Sequence, residues 1–111
     1  MNSIKKLGFS LACVLITASS FCQNDAAMQK AFSESYTHEY NKRYSDAIAV
    51  LSKFNSERSY EVHLRLGWLY YLNKNYGQSQ AFYGKAAAEK PYAVEAKLGL
   101  VKPLSVLENW D

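Results

Sequence analysis

The chain has 111 residues, a formal net charge of +3 and two cysteines, which bounds it to one small domain without a disulfide framework. Hydrophobic residues make up 49% of it and charged residues 21%, ordinary proportions for a packed protein, and nine tyrosines are the one bias. Lys5 and Lys6 lie in an N-terminal segment read below as removable; without them 11 basic residues face 10 acidic ones, a balance that gives no electrostatic reason for nucleic acid or an anionic membrane as partner.

Residues 1–22 read MNSIKKLGFSLACVLITASSFC. A short positive region at Lys5 and Lys6, a mostly apolar stretch from Leu7 to Thr17 and the small residues Ala18, Ser19 and Ser20 form the pattern of a secretory signal peptide. The apolar stretch is shorter than the roughly 20 residues a membrane span needs, so no span is expected after cleavage. Cleavage fits after Ser20 or after Cys22. A lipoprotein reading, with Cys22 lipidated, is poorly matched because Phe21 and Ser19 occupy the places of the small residue and the leucine. Both cysteines, Cys13 and Cys22, fall in this segment, so the mature chain holds at most one. Export to a periplasmic, outer-membrane-associated or extracellular setting is the expectation.

From Gln23 onward the pattern is helical. Met28, Phe32, Tyr36 and Tyr40 recur every four residues and mark one helix face. Asn41 and Lys42 interrupt it, and Tyr44, Ala47, Ile48, Leu51 and Phe54 mark a second stripe, broken at Asn55–Glu57. Val62, Leu66, Gly67 and Tyr70 carry a third helix that ends at Asn73–Asn75. Tyr76, Ser79, Tyr83 and Ala86 carry a fourth, stopped by Pro91, and a fifth runs from about Tyr92 to Leu107. Short polar connections make consecutive helices antiparallel neighbours.

The period is the most informative feature. Tyr76 and Trp110 stand 34 residues apart and Tyr44 and Tyr76 stand 32 apart, each just after an Asn-containing break or its equivalent. Residues 60–93 read His63-x2-Leu66-Gly67-x2-Tyr70, then Ser79-x3-Tyr83, then Ala86 and Pro91. This resembles the tetratricopeptide repeat, W-x2-L-G-x2-Y, A-x3-F, P, with His63 and Ser79 departing from the usual residue types. Residues 28–59 resemble a degenerate copy, in which Tyr44, Ala47, Leu51 and Phe54 keep the second-helix pattern while Glu34, Ser35 and His38 replace the usual Leu, Gly and Tyr. Residues 94–111 read as the first helix of a third, truncated repeat, with Leu98-Gly99 offering a rival alignment and Pro103 inside the helix. The resemblance implies an all-α fold of antiparallel helix–turn–helix repeats, a tetratricopeptide-like α-solenoid of about five helices behind the signal peptide.

No catalytic, metal or cofactor constellation is present in the pattern. His38 and His63 have no second ligand at a metal-binding spacing, there is no phosphate loop or nucleophile elbow, and Glu34, Glu39, Glu57 and Glu61 read as scattered acids on solvated faces. The chain is therefore expected not to be an enzyme. The resemblance implies a concave groove lined by the first helix of each repeat. Carried onto this sequence, its positions are Phe32 and Tyr36 in the first repeat and Leu64, Trp68 and Tyr71 in the second. An aromatic groove of that kind suits a protein or peptide partner, though the same rings could pack against neighbouring helices. Phe32 and Tyr36 replace the Lys and Asn with which some members of the family clamp a terminal carboxylate. Three readings stand together: a binding module, an assembly subunit that self-associates through an uncovered C-terminal helix, and the N-terminal piece of a longer repeat protein or enzyme.

Overall fold

The computed structural model describes residues 26–55 and 59–108. The signal segment with its cleavage sites and both cysteines, and the position of Trp110, lie outside the described residues. The chain divides into two compact units, Met1–Lys30 and Ala31–Asp111. Of the first, residues 26–30 are described, and they are helical.

The described residues form an all-α fold of five helices: α1 (26–40), α2 (Tyr44–Ser52), α3 (Tyr60–Leu72), α4 (Tyr76–Glu89) and α5 (Val94–Leu107). None of them is long and apolar enough to cross a membrane. Local chemistry explains where α3 and α4 begin. The Ser59 hydroxyl accepts a hydrogen bond from the Val62 amide at 3.3 Å, and the Asn75 side chain accepts one from the Gln78 amide at 3.3 Å, each satisfying a donor that has no partner within the helix. Ala81, Ala86, Ala87 and Ala88 favour α4 by propensity. Pro103 is accommodated inside α5, where it is fully buried.

Two of the connections are built alike. At the end of α1, the Lys42 amide bonds to the Glu39 carbonyl (2.9 Å) and the Arg43 amide to the His38 carbonyl (2.8 Å). At the end of α3, the Lys74 amide bonds to the Tyr71 carbonyl (3.0 Å) and the Asn75 amide to the Tyr70 carbonyl (2.9 Å). Lys42 and Lys74 hold the left-handed conformation, φ 59° and 61°, that closes such a turn. This is a Schellman cap, with lysine where glycine is usual.

Within the unit that starts at Ala31, contacts fix the helix directions. His63 meets Glu89, Gly67 meets Ser79 and Tyr71 meets Tyr76, so α3 and α4 run antiparallel. Gly67 and Gly99 flank the Tyr83 ring, while Ala86 packs with Ala96, which sets α5 antiparallel to α4. Tyr60 reaches Glu95 and Trp68 reaches Lys102, so α3 and α5 run parallel. Ser35 reaches Arg65 and Glu39 reaches Trp68, so α1 runs parallel to α3 as well. The odd-numbered helices thus lie side by side. Ala47, Ile48 and Leu51 of α2, Val62, Leu66 and Leu69 of α3, and Phe82, Tyr83 and Ala86 of α4 supply the core.

On α1, Tyr36 and Tyr40 are 57% and 89% exposed, and the buried residues are the small Ala31 and Ser35. Small residues let α1 approach α3 closely enough for polar contacts, and the tyrosines turn outward. His63, placed where a large apolar residue is usual, is buried and polar-bonded. One ring nitrogen bonds to the Glu89 carboxylate and the other lies 3.1 Å from the Asn55 carbonyl, tying the α2–α3 connection to the end of α4. On α5, Val94, Leu98 and Val101 form an exposed apolar stripe.

Candidate functional site

The parallel packing of α1, α3 and α5 leaves an open groove of about 520 Å³ between them. Phe32 and Tyr36 line it from α1, Glu61, Leu64, Arg65 and Trp68 from α3, and Glu95, Leu98, Gly99 and Lys102 from α5, with Tyr83 of α4 at its floor. The α3 set follows the i, i+3, i+4, i+7 spacing of a single helix face. The α5 set repeats that spacing, each member 34 residues after its counterpart on α3. Phe32 and Tyr36 precede Leu64 and Trp68 by 32 residues. One lining pattern is therefore presented three times, with the first copy partial.

Four of the five residues expected in the groove, Phe32, Tyr36, Leu64 and Trp68, come together in its lining. Tyr71 does not. Its ring stacks on Trp68 at 5.9 Å and tilts against Tyr76, the first residue of α4, at 5.7 Å. Tyr71 shares the Leu64–Trp68 face, but it sits in the last turn of α3, where the start of α4 meets it.

Sequence reasoning missed the charged half of the lining. Arg65 is buried, its side chain only 8% exposed, between the α1 and α3 backbones. Its Nε donates to the Ser35 hydroxyl at 3.2 Å and its Nη1 to Glu39 Oε1 at 2.8 Å. The Tyr36 ring lies over the guanidinium, 3.9 Å from Cζ to the ring centre. The same Glu39 oxygen accepts the Trp68 indole N–H at 2.8 Å, so Glu39 is no solvated acid but the point that joins α1 to α3. Lys102 extends from α5 and holds its ammonium 4.5 Å above the Trp68 ring. The one available signal was the i, i+4 relation of Glu61, Arg65 and the groove positions Leu64 and Trp68.

The acidic side of the lining is already engaged. Glu61 accepts from Lys90 at 3.2 Å, and its own backbone amide, followed by Lys90, holds its carboxyl below the usual range. Glu95 accepts from the Tyr60 hydroxyl at 3.1 Å. Burial, reinforced by Glu95, raises the Tyr60 hydroxyl above its ordinary pKa. Burial likewise pushes Tyr83 up to about 12, so the groove floor stays neutral at any physiological pH. The lining thus combines apolar surface, two engaged carboxylates and two cations.

Comparison with family models, curated proteins and solved structures finds no match for this chain.

Proposed function

We propose that this chain is an exported interaction module of tetratricopeptide type, without catalytic activity of its own, that holds a peptide segment of a protein partner in the groove between α1, α3 and α5. The observation that carries this reading is the recurrence of one lining pattern on successive parallel helices at the 34-residue step. A helical repeat presents equivalent side chains to one continuous surface, which is how such proteins build extended binding sites. The lining residues are also of binding type: aromatic rings and aliphatic side chains beside a few fixed polar groups.

The best test residues are those that line the groove without supporting the core. Tyr36 is 57% exposed and Leu98 65%. Peptides selected by display against the purified chain should bind Tyr36→Ser and Leu98→Ser at least about tenfold more weakly, the effect of losing a hot-spot side chain. Thermal melting of the Leu98→Ser chain should be unchanged, while Tyr36→Ser also loses the ring over the Arg65 guanidinium. Selected peptides that bind both variants as tightly as the parent would place their site elsewhere and sink the reading.

A second reading, self-association through α5, draws on the exposed stripe, in which Val94 and Val101 lie outside the groove lining. On that reading Val101→Glu shifts an oligomer toward monomer in light scattering. A parent chain that is already monomeric at high concentration rules it out.

A further inference from the structure

We infer that the groove selects a peptide segment with one acidic side chain, Asp or Glu, set between bulky apolar neighbours, and that this carboxylate is received by Arg65. The inference rests on the peptide-binding reading above and names the chemistry of the partner.

It begins from an incomplete set of hydrogen bonds. Arg65 is buried, Nε and Nη1 have acceptors in Ser35 and Glu39, and Nη2 is buried with no partner among the described residues. A guanidinium is a planar fork that matches a carboxylate, and a buried donor on a cation without an acceptor is unfavourable. The group lying over it is the Tyr36 ring, which is itself more than half exposed and free of the core. Rotation of that side chain to another staggered well would open the guanidinium to the groove. An arriving carboxylate then supplies the missing acceptor, and the Lys102 ammonium on the opposite wall adds a second positive charge.

The charge count favours a single carboxylate over a dianionic phosphate. Glu39 already neutralises part of the Arg65 charge, and Glu61 and Glu95 also line the groove, so a second negative charge on the ligand would be repelled. Phe32, Leu64 and Leu98 provide the apolar surface for the neighbours of the acid. The carboxylate belongs to a side chain within the segment, because apolar lining residues stand on both walls around Arg65.

The test uses fluorescein-labelled dodecapeptides, blocked at both ends, with leucines flanking a central Glu or Gln, titrated into the full chain by fluorescence anisotropy. The Glu peptide should bind about tenfold more tightly than the Gln peptide, the worth of a charge-assisted hydrogen bond, and the gap should narrow as salt is raised. Arg65→Lys keeps a cation for Glu39 but lacks the second arm; in it the gap between the Glu and Gln peptides should close. Lys102→Gln, a surface change, should narrow the gap about threefold, a smaller effect suited to a charge acting at longer range.

Equal binding of the Glu and Gln peptides overturns the inference and leaves the groove reading standing. Binding of neither peptide removes both. A Gln peptide with a free C-terminus that matches the blocked Glu peptide shows that the groove reads a chain end, which also overturns it. A gap that survives Arg65→Lys, or one unmoved by Lys102→Gln where the first variant does not fold, removes the carboxylate from this site.

Discussion

Glu39→Ala is expected to lower the stability of the chain by about 2–4 kcal/mol, among the largest effects of any single surface-facing change. The reason is what it leaves behind. Glu39 Oε1 accepts from both Arg65 Nη1 and Trp68 Nε1 at 2.8 Å. Its removal strands a cation whose side chain is only 8% exposed and an indole N–H at the same time. The partial exposure of Glu39 itself, 27%, keeps the figure below that of a fully enclosed pair. Urea denaturation followed by far-UV circular dichroism measures it. Glu39→Gln should cost less than Ala, since its amide oxygen can still accept both bonds. The pair Glu39→Ala with Arg65→Met should recover part of the loss, because no buried charge is then left unpaired. A Glu39→Ala chain that melts like the parent would show that Arg65 finds another acceptor.

Gly67→Ala and Gly99→Ala should each destabilise by about 1–3 kcal/mol, the range for overfilling a packed core. On helix propensity alone the same change would stabilise by about 1 kcal/mol, so the sign is informative. A methyl at Gly67 would come within 2.8 Å of Tyr83 Cγ, the root of the ring, which cannot yield without moving α4. A methyl at Gly99 would overlap Cε1 and Cζ of the same ring more severely, but those outer atoms can swing. Gly67 is further fixed because its carbonyl accepts the Ser79 hydroxyl at 2.7 Å. With Tyr83→Leu as background the Gly99→Ala change should become neutral or stabilising. If it still destabilises there, the ring is not the obstacle.

The helices were legible because their signals are local. Apolar spacing, the Asn-containing breaks and Pro91 each act within one or two turns of chain, and the five helices fall where those signals put them. Leu64 and Trp68 were expected in a groove because the tetratricopeptide resemblance implies it, and helix spacing puts the two on one face. Arg65 was not, because its acceptor Glu39 is 26 residues away and a lone arginine in a sequence reads as solvated. The packing face of α1 was not marked in the sequence for a related reason. Ala31 and Ser35 carry little hydrophobic signal, and the neighbouring tyrosines carry much, yet closeness of approach decided which set was buried. Gly99 looked like a marker for aligning a repeat, and its use against the outer atoms of the Tyr83 ring depends on a contact between two helices that no local pattern encodes.

The ring of Tyr83 has a consequence for how the groove tolerates different ligands. It packs against the α3 backbone at Gly67 and the α5 backbone at Gly99, so one ring sets the spacing of those two walls. The wall formed by α1 is held instead by side-chain tips: the Arg65 guanidinium and the Trp68 indole meeting Glu39. Any change of girth demanded by a bound peptide therefore falls on the α1 side. Of the side chains such a peptide presents, the one facing α5 is held to a fixed size and the one facing α1 is free to vary.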